Sequence, residues 1–150
     1  MVKPWLAHYP KGVPEFIKPL EYTSLVDFFE QITQQYEGLT AFSHLGLNLD
    51  YSGLEKNSRY FANYLLSLNL ERHSRVAIIL PNCLQYPVVL FGVLRAGHIV
   101  VNTNPLYSAR ELKNQLNDSG ATVVVLFESI GHLFEGIVSQ TSVKHVVITQ

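Results

Sequence analysis

The sequence predicts an α/β fold: a largely parallel β-sheet flanked by helices. Two observations carry this. From residue 75 onward, apolar runs rich in Val and Ile (75–80, 99–101, 122–127 and 143–149) show no polar alternation, the pattern of strands covered on both faces. Between them lie helical segments at 84–96, 108–118 and 129–139. The order β-α-β-α-β-α-β is that of one parallel sheet joined by right-handed crossovers.

The elements follow in chain order. Residues 1–22 are punctuated by Pro4, Pro10, Pro14 and Pro19, with aromatics at Trp5, Tyr9, Phe16 and Tyr22. They read as an extended arm docked by its aromatic side chains, because exposed Trp and Phe are costly to leave loose; a frayed terminus is the alternative. A helix over 25–36 places Leu25, Phe28, Phe29 and Ile32 on one face. Ser24 and Asp27 have capping-box spacing before it, and Gly38 stops it. Residues 41–45 and 47–51 form a small hairpin around Gly46. Ser52 and Glu55 give a second capping box, opening a helix over 53–68 with Leu54, Phe61, Leu65 and Leu68 on one side. Ser108 and Glu111 give a third, for a helix that ends at Gly120. The final apolar strand runs to the end of the sequence, which predicts a chain cut before its domain is complete.

Composition narrows the function. The 150 residues are 47% hydrophobic and 15% charged, a globular balance able to bury a core. A formal net charge of −1 provides no field for nucleic acid. No Lys/Arg window is dense enough for an electrostatic membrane patch. No apolar run is long enough to span a bilayer, so membrane contact would be peripheral. The single cysteine, Cys83, cannot form an internal disulfide and fits a reducing compartment.

Several chemistries lack their residues. Gly92 and Gly97 have P-loop spacing, but His98 and Ile99 follow where Lys and a hydroxyl residue are required. Helix packing at Gly92 and a C-cap at Gly97 account for them, and Gly131 and Gly136 fail in the same way. No G-x-G-x-x-G or G-x-S-x-G occurs. Cys83 has no histidine base close in sequence. The six histidines form no i, i+3 or i, i+4 pair, which speaks against zinc; His44, His98 and His145 fall in predicted strands as satisfied structural groups. In an open parallel sheet, ligands bind at the carboxyl ends of the strands. The loops there are 81–85, 102–108 and 128–131. The second offers two Asn, a Pro, Tyr107 and the Ser108 cap, amide donors beside a stacking ring; ordinary turn and cap chemistry is the alternative.

One long block then becomes recognisable: residues 75–82 (RVAIILPN), 85–92 (QYPVVLFG), 94–97 (LRAG), 100–102 (VVN), 104–107 (NPLY), 110–112 (REL) and 115–120 (QLNDSG). It resembles the start of the adenylate-forming superfamily of acyl-CoA synthetases, luciferases and peptide adenylation domains. The spelling LQYPV at 84–88, with Trp5, Leu6, Tyr9 and Pro10, resembles the bacterial long-chain fatty acid–CoA ligases in particular.

The resemblance implies a two-step reaction. A fatty acid carboxylate attacks the α-phosphate of ATP, with Mg2+, giving acyl-AMP; coenzyme A then displaces AMP. The parts such families use for it are a Ser/Thr/Gly-rich loop ending in Pro-Lys, a Tyr-Gly-x-Thr-Glu stretch, a ribose-binding Asp and a lysine on a mobile C-terminal domain. None occurs in these 150 residues, so no catalytic residue is carried over and the chain alone is expected to be inactive. The resemblance divides it into the arm (1–22) and the first part of a large AMP-binding domain (23–150), without the C-terminal domain. It places the nucleotide end of coenzyme A along Asn104, Tyr107, Ser108 and His132. It also implies a long-chain fatty acid substrate, a homodimer, and a cytoplasmic setting with peripheral contact at the inner membrane. A self-associating module without catalysis is the alternative.

Overall fold

A computed structural model describes residues 3–19 and 21–150. The hairpin comes first: β1 (Thr40–His44) and β2 (Leu47–Asp50) pair antiparallel. Leu45 and Gly46 turn between them with φ of 49° and 81°. Two positive φ values in succession match the strand twist of a two-residue hairpin turn.

The main sheet has four strands in the order β4-β3-β5-β6: β3 (Arg75–Ile79), β4 (Ile99–Asn102), β5 (Val123–Phe127) and β6 (His145–Thr149). Every pairing is parallel, with Val76 opposite both Val100 and Val123, and Val125 opposite Val147. Alternate side chains of the unbroken apolar runs go to opposite faces. Val76, Ile78, Val123 and Val125 pack with Leu65, Val89 and Val93 on one side. Ala77, Ile79, Val124 and Leu126 pack with Leu112, Leu116 and Phe134 on the other. The result is three layers. Helices α2 (Tyr51–Ser67) and α3 (Gln85–Arg95) cover the first face; α4 (Ala109–Ser119) and the short α5 (Gly131–Glu135) cover the second.

Helix α1 (Leu25–Gln35) lies outside α2 and α3. It buries Phe29 and Thr33, while Leu25 and Phe28 are exposed, so the expected apolar face is rotated. The cause is a stack of Phe29 on Phe91 of α3, with centroids 3.8 Å apart and planes 11° from parallel. Beside it, Arg95 is almost wholly buried, pairing with Glu30 at 3.0 Å and Glu55 at 3.1 Å and lying 5.2 Å over the Phe29 ring. Glu55 also pairs with Arg59. Gly92 is where α3 meets α2: a Cβ there would sit 2.7 Å from Phe61 Cδ1 and 3.0 Å from the Ser58 carbonyl oxygen.

Other expectations need correction. Helix α2 is capped by Asp50, whose carboxylate accepts from the Gly53 N–H at 2.6 Å, and not by Ser52. Asp50 ends β2, so strand and helix join with no linker and the cap falls two residues early. The expected helix at 129–139 is broken into a 3-10 turn (Glu128–Ile130), α5 and a second 3-10 turn (Val138–Gln140). Two glycines five residues apart, each about 1 kcal/mol poorer than Ala in a helix, account for the breaks. His98 lies in the turn before β4, and its buried Nδ1 has no partner, so it is not the satisfied strand residue expected.

The arm also differs. Residues Pro4–His8 form a 3-10 turn, and Trp5, Tyr9 and Phe16 are exposed. Tyr22 meets the body edge-on to Phe28 at 4.8 Å, and no other arm aromatic pairs with a ring of the body among the described residues. Lys3 instead binds within the arm, to Glu15 and over the Phe16 ring. Met1, Val2 and Leu20 of the predicted arm lie outside the described residues.

Candidate functional site

The strand order fixes where a crevice opens. From β3 the chain leaves toward β4; from β5 it leaves the opposite way, toward β6. The loops after β3 and β5 therefore diverge at the carboxyl edge, the position where open α/β sheets bind ligands.

At that edge Asn102, the last residue of β4, is held from two sides. The Tyr86 hydroxyl donates to its Oδ1 at 2.8 Å and the Gln115 amide donates to its carbonyl at 3.0 Å. The Thr103 N–H donates to the Ile78 carbonyl at 3.0 Å, extending the ladder by one bond. Asn104 Oδ1 then accepts from the Leu106 N–H at 3.0 Å, and its carbonyl accepts from the Tyr107 N–H at 3.2 Å. Tyr107 is half-buried against the second core face. Ser108 caps α4: its hydroxyl accepts from the Glu111 N–H, while Glu111 Oε2 accepts from the Ser108 N–H at 2.9 Å and hydroxyl at 2.6 Å. The Ser108 hydroxyl, and then its N–H, hold the Glu111 carboxyl below the usual carboxylate range. The turn-and-cap alternative thus describes what Asn104 and Ser108 do within the chain.

His132 is exposed in the first turn of α5. Helices α4 and α5 cover the same sheet face and both start from the carboxyl edge. Asn104, Tyr107, Ser108 and His132 are therefore brought to one edge and one face. Apart from the bond from the Tyr107 N–H to the Asn104 carbonyl they share no hydrogen bond among the described residues, and the His132 side chain makes none.

On the opposite face is a cavity of about 500 Å³, between α2, α3 and the β5–β6 pair. Phe61, Leu84, Val88, Val89, Val125 and Val147 line it, and Gln85 and Asn57 are among its few polar groups. Gln85 also donates to the Gln150 carbonyl at 2.8 Å. Sequence reasoning missed this cavity. Its signal was residues 84–96, apolar on most sides and so richer in apolar surface than one sheet face can cover. Cys83 is buried in the adjoining core, in keeping with an inert thiol.

The donor set does not fit a magnesium ion or a nucleotide's phosphates. No group of three His, Cys, Asp or Glu is placed for a metal among the described residues. Gly92 is enclosed by α2, and Gly97, with φ of 73°, ends α3 as the His98 N–H returns to the Val93 carbonyl at 3.1 Å.

A three-layer α/β unit with its crevice at a parallel-sheet switch point defines the class: an open parallel-sheet α/β scaffold. Comparison with known proteins narrows it. Residues 28–150 match the family described as AMP-binding enzyme, and the chain belongs to that family. It is 50% identical to the long-chain-fatty-acid–CoA ligase of Escherichia coli over 100% of its own length and 27% of that protein's. It is 36% identical to the Bacillus subtilis ligase of the same name over 84% of this chain and 22% of that one. The chain thus spans about a quarter of the length of these relatives. Among solved structures, a long-chain-fatty-acid-CoA ligase from Archaeoglobus fulgidus superposes with a TM-score of 0.82 at 22% identity, covering 94% of this chain and 30% of that one. At that identity the likeness is one of fold.

Proposed function

We propose that this chain is the N-terminal α/β part of an AMP-forming long-chain fatty acid–CoA ligase and acts as scaffold to its active-site cleft. The observation that carries the reading is 50% identity along the whole chain to ligases of that name. In this reading residues 1–22 are an arm and 23–150 begin the AMP-binding domain. The complete enzyme works in the cytoplasm and joins a long-chain fatty acid to coenzyme A at the expense of ATP, with Mg2+. The catalytic residues lie outside these 150. Asn104, Tyr107, Ser108 and His132 form an edge for the nucleotide end of coenzyme A. Their common edge and sheet face support that role, with Tyr107 offering a ring.

The test is to supply the 150-residue chain with oleate, ATP-magnesium and coenzyme A, and to titrate coenzyme A alone by calorimetry. No acyl-CoA is expected. Acyl-CoA formation above background overturns the scaffold reading. Heat on coenzyme A binding that disappears in Tyr107→Ala supports the edge; no heat removes it.

One observation favours a second reading, self-association without catalysis. The outer edge of β6 is unpaired among the described residues, and Val146 and Ile148 are exposed beside it. Such an edge is a template for a second strand. Light scattering decides: a clean monomer at high concentration rejects it.

A further inference from the structure

Strand β4 pairs only with β3 among the described residues, and the end of such an outer strand is prone to fray. Its last residue is nevertheless held from both faces of the sheet. Tyr86 of α3, on the first face, donates to the Asn102 side-chain oxygen at 2.8 Å. Gln115 of α4, on the second, donates to the Asn102 main-chain oxygen at 3.0 Å. The Tyr86 ring is half-buried against the first core, so packing fixes where its hydroxyl lies. Tyr86 also opens α3 directly after loop 81–85, its N–H on the Cys83 carbonyl at 3.1 Å. Its bond to Asn102 therefore couples the loops that leave two neighbouring strands. Thr103 follows, buried, with its N–H on the Ile78 carbonyl. At the far end, Ser108 and Glu111 lock the start of α4 with their reciprocal bonds. Only residues 104–107 lie between the two anchors, and Leu106 among them is 89% exposed.

We propose that Tyr86 and Gln115 are positioning residues for coenzyme A: they clamp Asn102 so that loop 104–107 meets that substrate already ordered, a role that rests on the reading of this loop as a coenzyme A edge. Neither residue belongs to the edge itself, since the Tyr86 hydroxyl and the Gln115 amide are both engaged by Asn102. A loop fixed at both ends has little conformational freedom left to lose when a ligand orders it, and this raises affinity without any added contact. Releasing the clamp weakens binding of the one substrate the loop meets and leaves the others alone. Bonds that only stabilise the sheet edge would instead move all the kinetic constants together, or none of them.

Two measurements on the complete ligase test this, the first without any ligand. The amides of Leu106 and Tyr107 are bonded to Asn104. In hydrogen exchange they should exchange about three- to tenfold faster in Tyr86→Phe, while those of β3 and β5 keep their protection. In steady-state kinetics, Tyr86→Phe and Gln115→Leu should each raise KM for coenzyme A about three- to tenfold. The kcat and the KM values for ATP and oleate should stay within about twofold. Tyr86→Phe combined with Asn102→Ala should do no more than either alone, because both remove the same bond. Unchanged exchange, an unchanged KM for coenzyme A, a parallel rise in all three KM values, or additive effects in the double variant each overturn the clamp. An unsubstituted ligase that forms no acyl-CoA overturns the parent reading and the clamp's role with it. An active ligase indifferent to Tyr86→Phe overturns the clamp alone.

Discussion

Gly92 is the residue on which the contact between α2 and α3 turns. An added methyl would meet the Phe61 ring, which can shift, and the Ser58 carbonyl, which is helix backbone and cannot. Gly92→Ala should therefore cost about 1–3 kcal/mol, read from the urea midpoint. Gly120→Ala provides the contrast: the space around it is open, but φ is 65°, so about 1 kcal/mol is expected from backbone strain alone. His98 sets a pH dependence. Burial, and secondly the charge of nearby His73, lower its pKa from the usual value; Arg72 and His73 line the same small cavity. A histidine with a depressed folded pKa stabilises fully above its unfolded pKa of about 6.5. That contribution is lost as pH falls toward the folded value. The thermal midpoint should drop as pH falls below about 6.5, and His98→Met should flatten that limb. Asp27 and Glu111, whose pKa values are also lowered, act in a separate window. Their contributions fade only below the ordinary carboxylate range of about 4.

At the scale of elements, the competition between Asp50 and Ser52 for the cap of α2 has a direct test. Asp50→Ala removes the acceptor of the Gly53 N–H and should cost about 1 kcal/mol. Ser52→Ala removes only a donor to Asp50 at 3.3 Å and should cost a few tenths. Equal losses would restore Ser52 as the cap. This competition also shows what the sequence could and could not specify. The buried strands were legible because β3 and β5 are covered on both faces and, after Arg75 at the start of β3, carry no polar residue to confuse the period. The box at Ser108 was legible because Glu111 has the length to reach back. At Ser24 only half the box forms: the Asp27 N–H donates to Ser24, but the Asp27 carboxylate takes the N–H of Thr23. The face of α1 was not legible. It is set by Phe91, more than fifty residues away, and no local spacing encodes that stack. The site divides in the same way: the loop at 102–108 could be found from its composition, while the cavity over β5 and β6 needed the packing of α2 and α3 on both strands.

For the whole molecule, the asymmetry between the sheet's two outer strands matters most. β6 presents Val146 and Ile148 at an edge unpaired among the described residues, so Ile148→Lys should suppress any concentration-dependent association by light scattering while changing stability by no more than about 0.5 kcal/mol. Association that persists in Ile148→Lys would place the contact elsewhere. The chain also has an order of assembly written into its topology. Central β3 pairs first in sequence with β4, and its other flank waits for β5. Between the end of β4 at Asn102 and the end of β5 at Phe127 the ribosome must add about 25 residues, some 1–5 s of synthesis at typical rates. During that interval a nascent chain carries a half-built, strongly apolar ladder. The stretch of translation most exposed to misassembly, and most in need of a chaperone, is therefore the passage through α4.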